Sequence, residues 1–225
     1  MAFTLRTSNE NGNGASGTQV TVSVSGVVAG DFVVACGANA SSVDLSSISD
    51  GTSSFTLRPS NSGGTLRCQS AYLLSSSASG SLTYTFTWAS ACVAREAHVY
   101  VFNPGGGTQA YDTESNGTYV PSGTSINTGN IATASTDEAV VAFCYHNAAE
   151  TASSKLINGV AADGTLDPGG SMSSWYKIFA STFSGGGGTG TLATGTEMLA
   201  NLIAIKNSSA AGPSSRPNLM LLGVG

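Results

Sequence analysis

Charge is what this sequence has least of. Only 9% of its 225 residues are Asp, Glu, Lys or Arg, against about a quarter in an ordinary soluble domain. Eight Lys and Arg stand against thirteen Asp and Glu, for a net charge of −5. So few cations cannot build a basic patch, which excludes nucleic acid and an anionic membrane surface as partners. Apolar runs are also short, and none approaches the roughly 20 residues that span a bilayer. The start, Met-Ala-Phe-Thr-Leu-Arg-Thr-Ser, has no basic region followed by an apolar one, so no secretory signal is visible. The expectation is a protein made in a cytoplasm that leaves it, if at all, by lysis. Helical periodicity is missing too, with no window persisting beyond about two turns.

The chemistry-bearing motifs are equally sparse. Cys36, Cys68, Cys92 and Cys144 form no C-x-x-C pair and have no metal-ligand spacing. Four buried thiols are the expectation, with Cys68 and Cys92 as the better disulfide candidate of the possible pairs. No G-x-S-x-G elbow exposes a nucleophile. The run Gly185–Gly188 is followed by no Lys-Ser/Thr and is no phosphate loop. Asp44, Asp50, Asp163 and Asp167 occupy loops without the spacing of a calcium loop. No cofactor and no metal are therefore expected.

What the chain does have is a copy of itself. Residues 71–103, AYLLSSSASGSLTYTFTWASACVAREAHVYVFN, run parallel in pattern to residues 175–207, WYKIFASTFSGGGGTGTLATGTEMLANLIAIKN. Both open on an aromatic-apolar cluster, pass a small-residue turn and a Thr-rich segment, turn again, and close on an apolar strand ending in Asn. Upstream, Gly30-Asp31-Phe32-Val33-Val34-Ala35-Cys36 matches Asp137-Glu138-Ala139-Val140-Val141-Ala142-Phe143 in the same order. This alignment places Cys36 opposite Phe143 and Cys144 opposite Gly37, so the two cysteines lie on opposite faces of equivalent strands.

Strand signals recur along the chain. Val20, Val22 and Val24 alternate with Thr21 and Ser23, and Leu82, Tyr84, Phe86 and Trp88 alternate with Thr83, Thr85 and Thr87. The apolar run 31–37 reads as a core strand, and further strands fall near 126–132, 138–146, 154–158, 172–180, 189–194 and 198–206. Many short strands at this spacing indicate a sandwich or jelly roll. The fold class is all-β, an antiparallel, jelly-roll-like β-sandwich built from two similar halves that interleave. Residues 1–17 read as an N-terminal arm or loop and 18–207 as the sandwich, with halves of about 18–107 and 124–207. Residues 208–225 read as an extended C-terminal tail. Asn103-Pro104-Gly105-Gly106-Gly107 opens the crossover between halves, which carries Tyr111 and Tyr119.

Among candidate catalytic groups, His98 reads as a partly exposed strand residue and His146 as a polar residue at a loop edge. Glu96 and Glu197 occupy similar places in the two copies, and Asp31 and Asp137 each precede a core strand, where a carboxylate accepts backbone N–H groups. All four acids read as structural, and Trp88 and Trp175 as core rather than sugar-stacking platforms. The tail differs. After the polar spacer Ser208–Arg216 comes Pro217-Asn-Leu-Met-Leu-Leu-Gly-Val-Gly225. Leu219, Met220, Leu221, Leu222 and Val224 are the candidate partner-binding residues. They are expected to be buried with help from a neighbouring subunit, which a spacer of roughly 30 Å extended reach allows.

The order of Gly30-Asp31, Ile48-Ser-Asp50-Gly51, Ala71-Tyr72, Asn103-Pro104, Trp175-Tyr176-Lys177-Ile178 and Leu202–Lys206 resembles a β-sandwich module of tailed-phage structural proteins and of some bacterial surface proteins. The resemblance covers about 18–207 and carries no catalytic residue. It implies a non-enzymatic virion protein: a capsid decoration or cement protein, or another head or tail accessory subunit. Its partners would be the major capsid or another virion protein and further copies of itself. The alternative is a carbohydrate-binding or adhesive surface module with a glycan as ligand. A β-sandwich glycoside hydrolase or lyase ranks third.

Overall fold

The apolar runs and the Thr-rich alternation become strands throughout. In a computed structural model, described over residues 3–167 and 170–208, the described residues are all strand, turn or loop. The first half contains β1 (Thr4–Asn13), β2 (Gly17–Val27), β3 (Phe32–Asn39), β4 (Leu45–Ser49), β5 (Thr56–Leu57), β6 (Asn61–Gly63), β7 (Leu66–Leu73), β8 (Gly80–Cys92) and β9 (Arg95–Asn103). The second contains β10 (Thr108–Asn116), β11 (Val120–Ala132), β12 (Glu138–His146), β13 (Ser153–Ile157), β14 (Val160–Ala161), β15 (Gly164–Leu166), β16 (Met172–Phe179) and β17 (Ser184–Ser208).

The two halves repeat one topology. In the first, an inner sheet has the order β1-β9-β3-β7-β5, with β6 also on β7, and an outer sheet the order β2-β8-β4. In the second, β10, β12, β16 and β15 assemble with the C-terminal part of β17 in the corresponding inner order, while β11, β13 and β14 gather on its N-terminal part. The first half turns between β8 and β9, where Ala94 adopts a φ of 48°. The second half has no such turn, and the single long strand β17 passes from the outer sheet into the inner one, as strands do at sandwich corners.

Each half encloses its own core. Val20, Val22, Val24, Tyr84, Phe86 and Trp88 from the outer sheet meet Val33, Ala35, Ala71, Val99 and Val101 from the inner one. Tyr84 and Phe86 thus share one inward face, and the intervening threonines are the exposed partners that period-2 alternation requires. In the second half Ile126, Ile131 and Leu192 meet Val140, Ala142, Trp175, Leu202 and Ala204. A third core lies between the two inner sheets, where Phe32, Val34, Cys36, Tyr100 and Phe102 pack on Val141, Phe143, Tyr176, Ile203 and Ile205. The arrangement is therefore four layers. Strand pairing stays within each half, so the halves stack rather than interleave, joined by the crossover and by side-chain contacts.

The sequence alignment of the two copies holds through β7 with β16: Ala71 and Trp175 face their own cores, while Tyr72 and Tyr176 face the central one. It slips by one residue in the last strand. Val99 and Val101 correspond in facing to Leu202 and Ala204, and Tyr100 and Phe102 to Ile203 and Ile205. The extra residue of the first half is absorbed at the β8–β9 turn, and a slip of one inverts every facing downstream.

Two segments read as loop or crossover are strands. Residues 4–13 form the edge strand β1 on β9, and residues 108–116 form β10 on β17. Their polar composition suits an edge. Asn9 Nδ2 and Asn11 Nδ2 donate to the Ser23 and Thr21 carbonyls of β2 at 2.7 and 2.8 Å, so side chains bridge the open side of the first sandwich where backbone pairing stops.

Because the central core is shared, the halves should unfold together. Phe102 stacks on Phe32 at 5.0 Å and meets Tyr176 edge-on at 5.5 Å. Replacing it with Ala should remove about 3–5 kcal/mol. Chemical denaturation followed by tryptophan fluorescence, with Trp88 reporting the first half and Trp175 the second in single-Trp variants, should show one coincident transition for both.

Candidate functional site

Three places gather polar side chains: the seam between the inner sheets, and the two poles where the strands end. The seam carries most of them. His98 and Tyr100 alternate with Val99 along β9, so they face the central core, where Ser174 of β16 meets both. His98 Nδ1 lies 2.7 Å from Ser174 Oγ, and Tyr100 Oη lies 2.8 Å from it. All three residues are fully buried. The reading of His98 as a partly exposed strand residue is corrected: its strand belongs to a sheet covered on both faces. Burial, reinforced by the charges of His146 and Lys155, pushes the His98 imidazole down to about 3, so it is neutral. A serine beside a neutral histidine has the composition of a nucleophile and base. Here the serine is also bonded to a tyrosine and sealed from solvent, and the cluster clasps one half to the other.

His146 is corrected in the same way. It ends β12 fully buried, with Nε2 3.3 Å from Ser173 Oγ and Nδ1 2.8 Å from the Ala148 carbonyl. Burial lowers its pKa. Ser173 and Ser174 point to opposite faces of β16, so the two histidines lie on either side of that sheet. They do not form one site.

Glu96 and Glu197 are likewise apart in their bonding. Glu96 Oε1 accepts from the Ser171 N–H at 2.6 Å, and burial raises its pKa. Glu197 Oε1 accepts from Tyr119 Oη at 3.0 Å. Each closes a different part of the seam. Tyr119 packs so close to β6 that a Cβ on Gly63 would sit 2.1 Å from its ring. The nearer neighbour of Glu96 is Glu10, diagonal to it across the β1–β9 ladder, where Gly12 faces Glu96 and Glu10 faces His98. Burial raises the Glu10 pKa as well. Only recognition of β1 as a strand would have paired these two acids. Glu96 also lines a depression of about 310 Å³ with Gly12, Asn13, Gly14, Ala94, Arg95, Gly170 and Ser171. The Arg95 guanidinium there is turned away to the carbonyls of Ala15 and Gln19.

Other bonds cross the seam, some of them from the crossover between the halves. Arg58 Nε and Nη2 donate to the two Glu114 oxygens at 2.8 and 3.0 Å, with the guanidinium 4.2 Å above the Tyr111 ring. Asn61 Nδ2 donates to the Gly117 and Ala200 carbonyls at 2.9 and 3.1 Å, and Asn201 Nδ2 to the Cys68 carbonyl at 3.2 Å.

The opposite pole is organised by Asp137. Its Oδ1 accepts from the Phe3 N–H at 3.3 Å, and its Oδ2 from Asn207 Nδ2 at 3.0 Å. Its carbonyl accepts from the Asn207 N–H at 2.9 Å, and Asn207 Nδ2 also reaches the Pro104 carbonyl at 3.0 Å. One aspartate thus ties the first described residues, the crossover and the end of β17 together. Beside it, burial and a hydrogen bond with Asp112 push Glu138 up to about 8, so it keeps its proton at neutral pH. Asp112 also pairs with Lys206 at 2.8 Å. Asp31, the counterpart of Asp137, accepts from the Val28 N–H at 2.8 Å and pairs with Arg6 at 2.5 Å.

The four cysteines are free and buried. Cys68 faces the central core and Cys92 the core of the first sandwich, so a sheet separates that candidate pair. The close thiols are Cys36 and Cys68, with Sγ atoms 3.3 Å apart. Trp88 and Trp175 are core residues, and the Trp175 indole donates to the Leu156 carbonyl at 3.1 Å. Leu219, Met220, Leu221, Leu222 and Val224 lie outside the described residues. No protein-family model, curated protein or solved structure matches the chain.

The clasp makes two checks possible. Ser174→Ala leaves both His98 Nδ1 and Tyr100 Oη buried without their partner, and should lower stability by about 1–3 kcal/mol in urea titrations. The lowered His98 pKa means that the unfolded chain binds a proton the folded chain refuses between about pH 3 and 6.5. That stability is present above pH 6.5 and is lost as pH falls, at about 1.4 kcal/mol per unit. His98→Gln should show a shallower loss of stability from pH 6.5 to 4 than the wild type.

Proposed function

We propose that the chain is a non-catalytic structural subunit of a virion, a capsid decoration or other accessory protein that docks through one pole and projects its sandwiches outward. The observation that carries this reading is the Asp137 knot. Through it Phe3 and Asn207, close to the two limits of the described residues, are held side by side. The sequence beyond Ser208 pairs a polar spacer with the apolar stretch containing Leu219, Met220, Leu221, Leu222 and Val224. Burying a Leu or Met side chain is worth about 1.5–3 kcal/mol, so these residues form a strong anchor when a neighbouring subunit covers them. The body supplies a fitting spacer: four layers fixed by a shared core, with surfaces of Ser, Thr, Asn and Gly and few charges. The resemblance to a tailed-phage sandwich module agrees with this use. The carbohydrate-binding alternative would be favoured by a ladder of exposed aromatics, and both tryptophans are packed inside.

The test compares the full chain with a chain ending at Ser208, using light scattering coupled to size exclusion and thermal melts. The truncated protein should melt as the full chain does and run as a monomer, while the full chain associates or binds purified capsid shells. A truncated chain that fails to fold would assign the apolar stretch to its own body. A full chain that binds no shell and no copy of itself, but retains a glycan on an array, would replace the virion reading with the adhesive one.

A further inference from the structure

The largely covered side chains of a lysine and an aspartate face each other across the open side of the second sandwich, and nothing in the assembly role uses them. Lys155 comes from β13 of the outer sheet. Asp167 directly follows β15 of the inner sheet, whose Leu166 pairs with Ser174. Lys155 Nζ is paired with Asp167 Oδ2, and their side chains are only 8% and 10% exposed. The other carboxyl oxygen, Oδ1, is buried with no hydrogen-bond partner among the described residues. An ammonium has three N–H donors and a carboxylate about four acceptor sites, so this pair leaves much of both unsatisfied. Isolated ion pairs of this kind gain little from their attraction, because desolvation opposes it.

We propose that Lys155 and Asp167 are joined by an amide bond, an internal covalent link from the outer to the inner sheet of the second sandwich. The pair first moves one proton from Nζ to Oδ2, giving a neutral amine and a neutral carboxylic acid. The Nζ lone pair then attacks Cγ. A second Nζ proton passes to the Oδ2 hydroxyl, the Cγ–Oδ2 bond breaks, and Oδ2 departs as water. One N–H and the Oδ1 carbonyl remain. No oxidant, reductant or other reactant enters the balance.

The surroundings favour each stage. Desolvation disfavours both charges and so favours the neutral pair. It pushes Lys155 down to about 8 from an ordinary 10.5, which places a nucleophilic amine within reach of neutral pH. The nearby His98 and His146 rings sense the Lys155 charge, and that repulsion ends when the amine becomes an amide nitrogen. Two fixed sheets hold the reacting groups together, and such positioning corresponds to effective concentrations on the order of 10⁵ M or more. The product replaces two buried charges by one neutral donor and one neutral acceptor. This link is independent of the virion reading, since it concerns the body and not its anchor.

Intact mass spectrometry of the purified full chain under denaturing conditions decides the matter, with peptide sequencing of a digest. The expected result is a mass lower than the sequence requires by one water, together with a peptide in which Lys155 and Asp167 are joined. Both features should vanish in Lys155→Arg and in Asp167→Ala. A wild-type mass equal to that of the sequence would overturn the proposal. So would a water loss that persists in Lys155→Arg, which would place the dehydration at another site such as the Asp163-Gly164 turn. Because the wild-type protein itself gives the deciding reading, poor folding of either variant does not blunt the test.

Discussion

The packing of β3, β9 and β7 against β12, β17 and β16 leaves both inner sheets without a solvent face, and the rest of the structure answers to that. Antiparallel sheets ordinarily cover one face and wet the other. Here every residue of Phe32–Asn39 and of Glu138–His146 is buried, so neither strand can alternate. Val33 and Ala35 serve the first sandwich while Phe32, Val34 and Cys36 serve the shared core. The outer sheets are then free to carry Ser and Thr on their wet faces. The low charge content follows from the same geometry, because four layers offer many inner positions and the outer faces are filled by small polar residues.

This constraint explains which parts of the fold were legible in the sequence. The runs 31–37 and 138–146 have to be apolar on both faces, and they stood out. The Leu82–Trp88 alternation marks a strand with one wet face, and it too was plain. β1 and β10 were not legible, because an edge strand packed on one side carries residues such as Asn9, Asn11, Thr113 and Ser115 that resemble loop composition. Two signals hid the course of β17: Gly195-Thr196-Glu197 reads as a turn between strands near 189–194 and 198–206, and Gly185–Gly188 reads as a turn at its start. Three of these glycines lie in a strand where a Cβ would strike Asn158, the Gly129 carbonyl or Ala142. The copy-to-copy alignment was right in order and wrong by one residue in the last strand. Sequence similarity between two apolar strands does not fix which face each residue takes.

The polar seam was the least legible part. His98 and Ser174 are far apart in the chain and become partners only once two similar sheets are laid face to face. The seam mixes a hydrophobic core with specific bonds: His98 and Tyr100 to Ser174, Asn61 to two carbonyls, Asn201 to one. Hydrophobic contact alone would tolerate sliding of one flat sheet over another, whereas these bonds hold only in one alignment. Their cost is visible in the atoms left over, His98 Nε2 and Asn201 Oδ1.

The continuous strand β17 also decides how the body would bear a load. Its C-terminal part lies between β12 and β10, bonded to both. A pull on that end runs along the strand axis, so hydrogen bonds on both sides resist together in shear. None can open singly as in a zipper. The force then continues along the same strand into the outer sheet, without crossing a loop. The start of β1 is held less firmly, since its backbone pairs with β9 alone and only side chains such as Asn9 and Asn11 reach β2. Of the strand ends at this pole, that of β17 is held by backbone pairing on both sides.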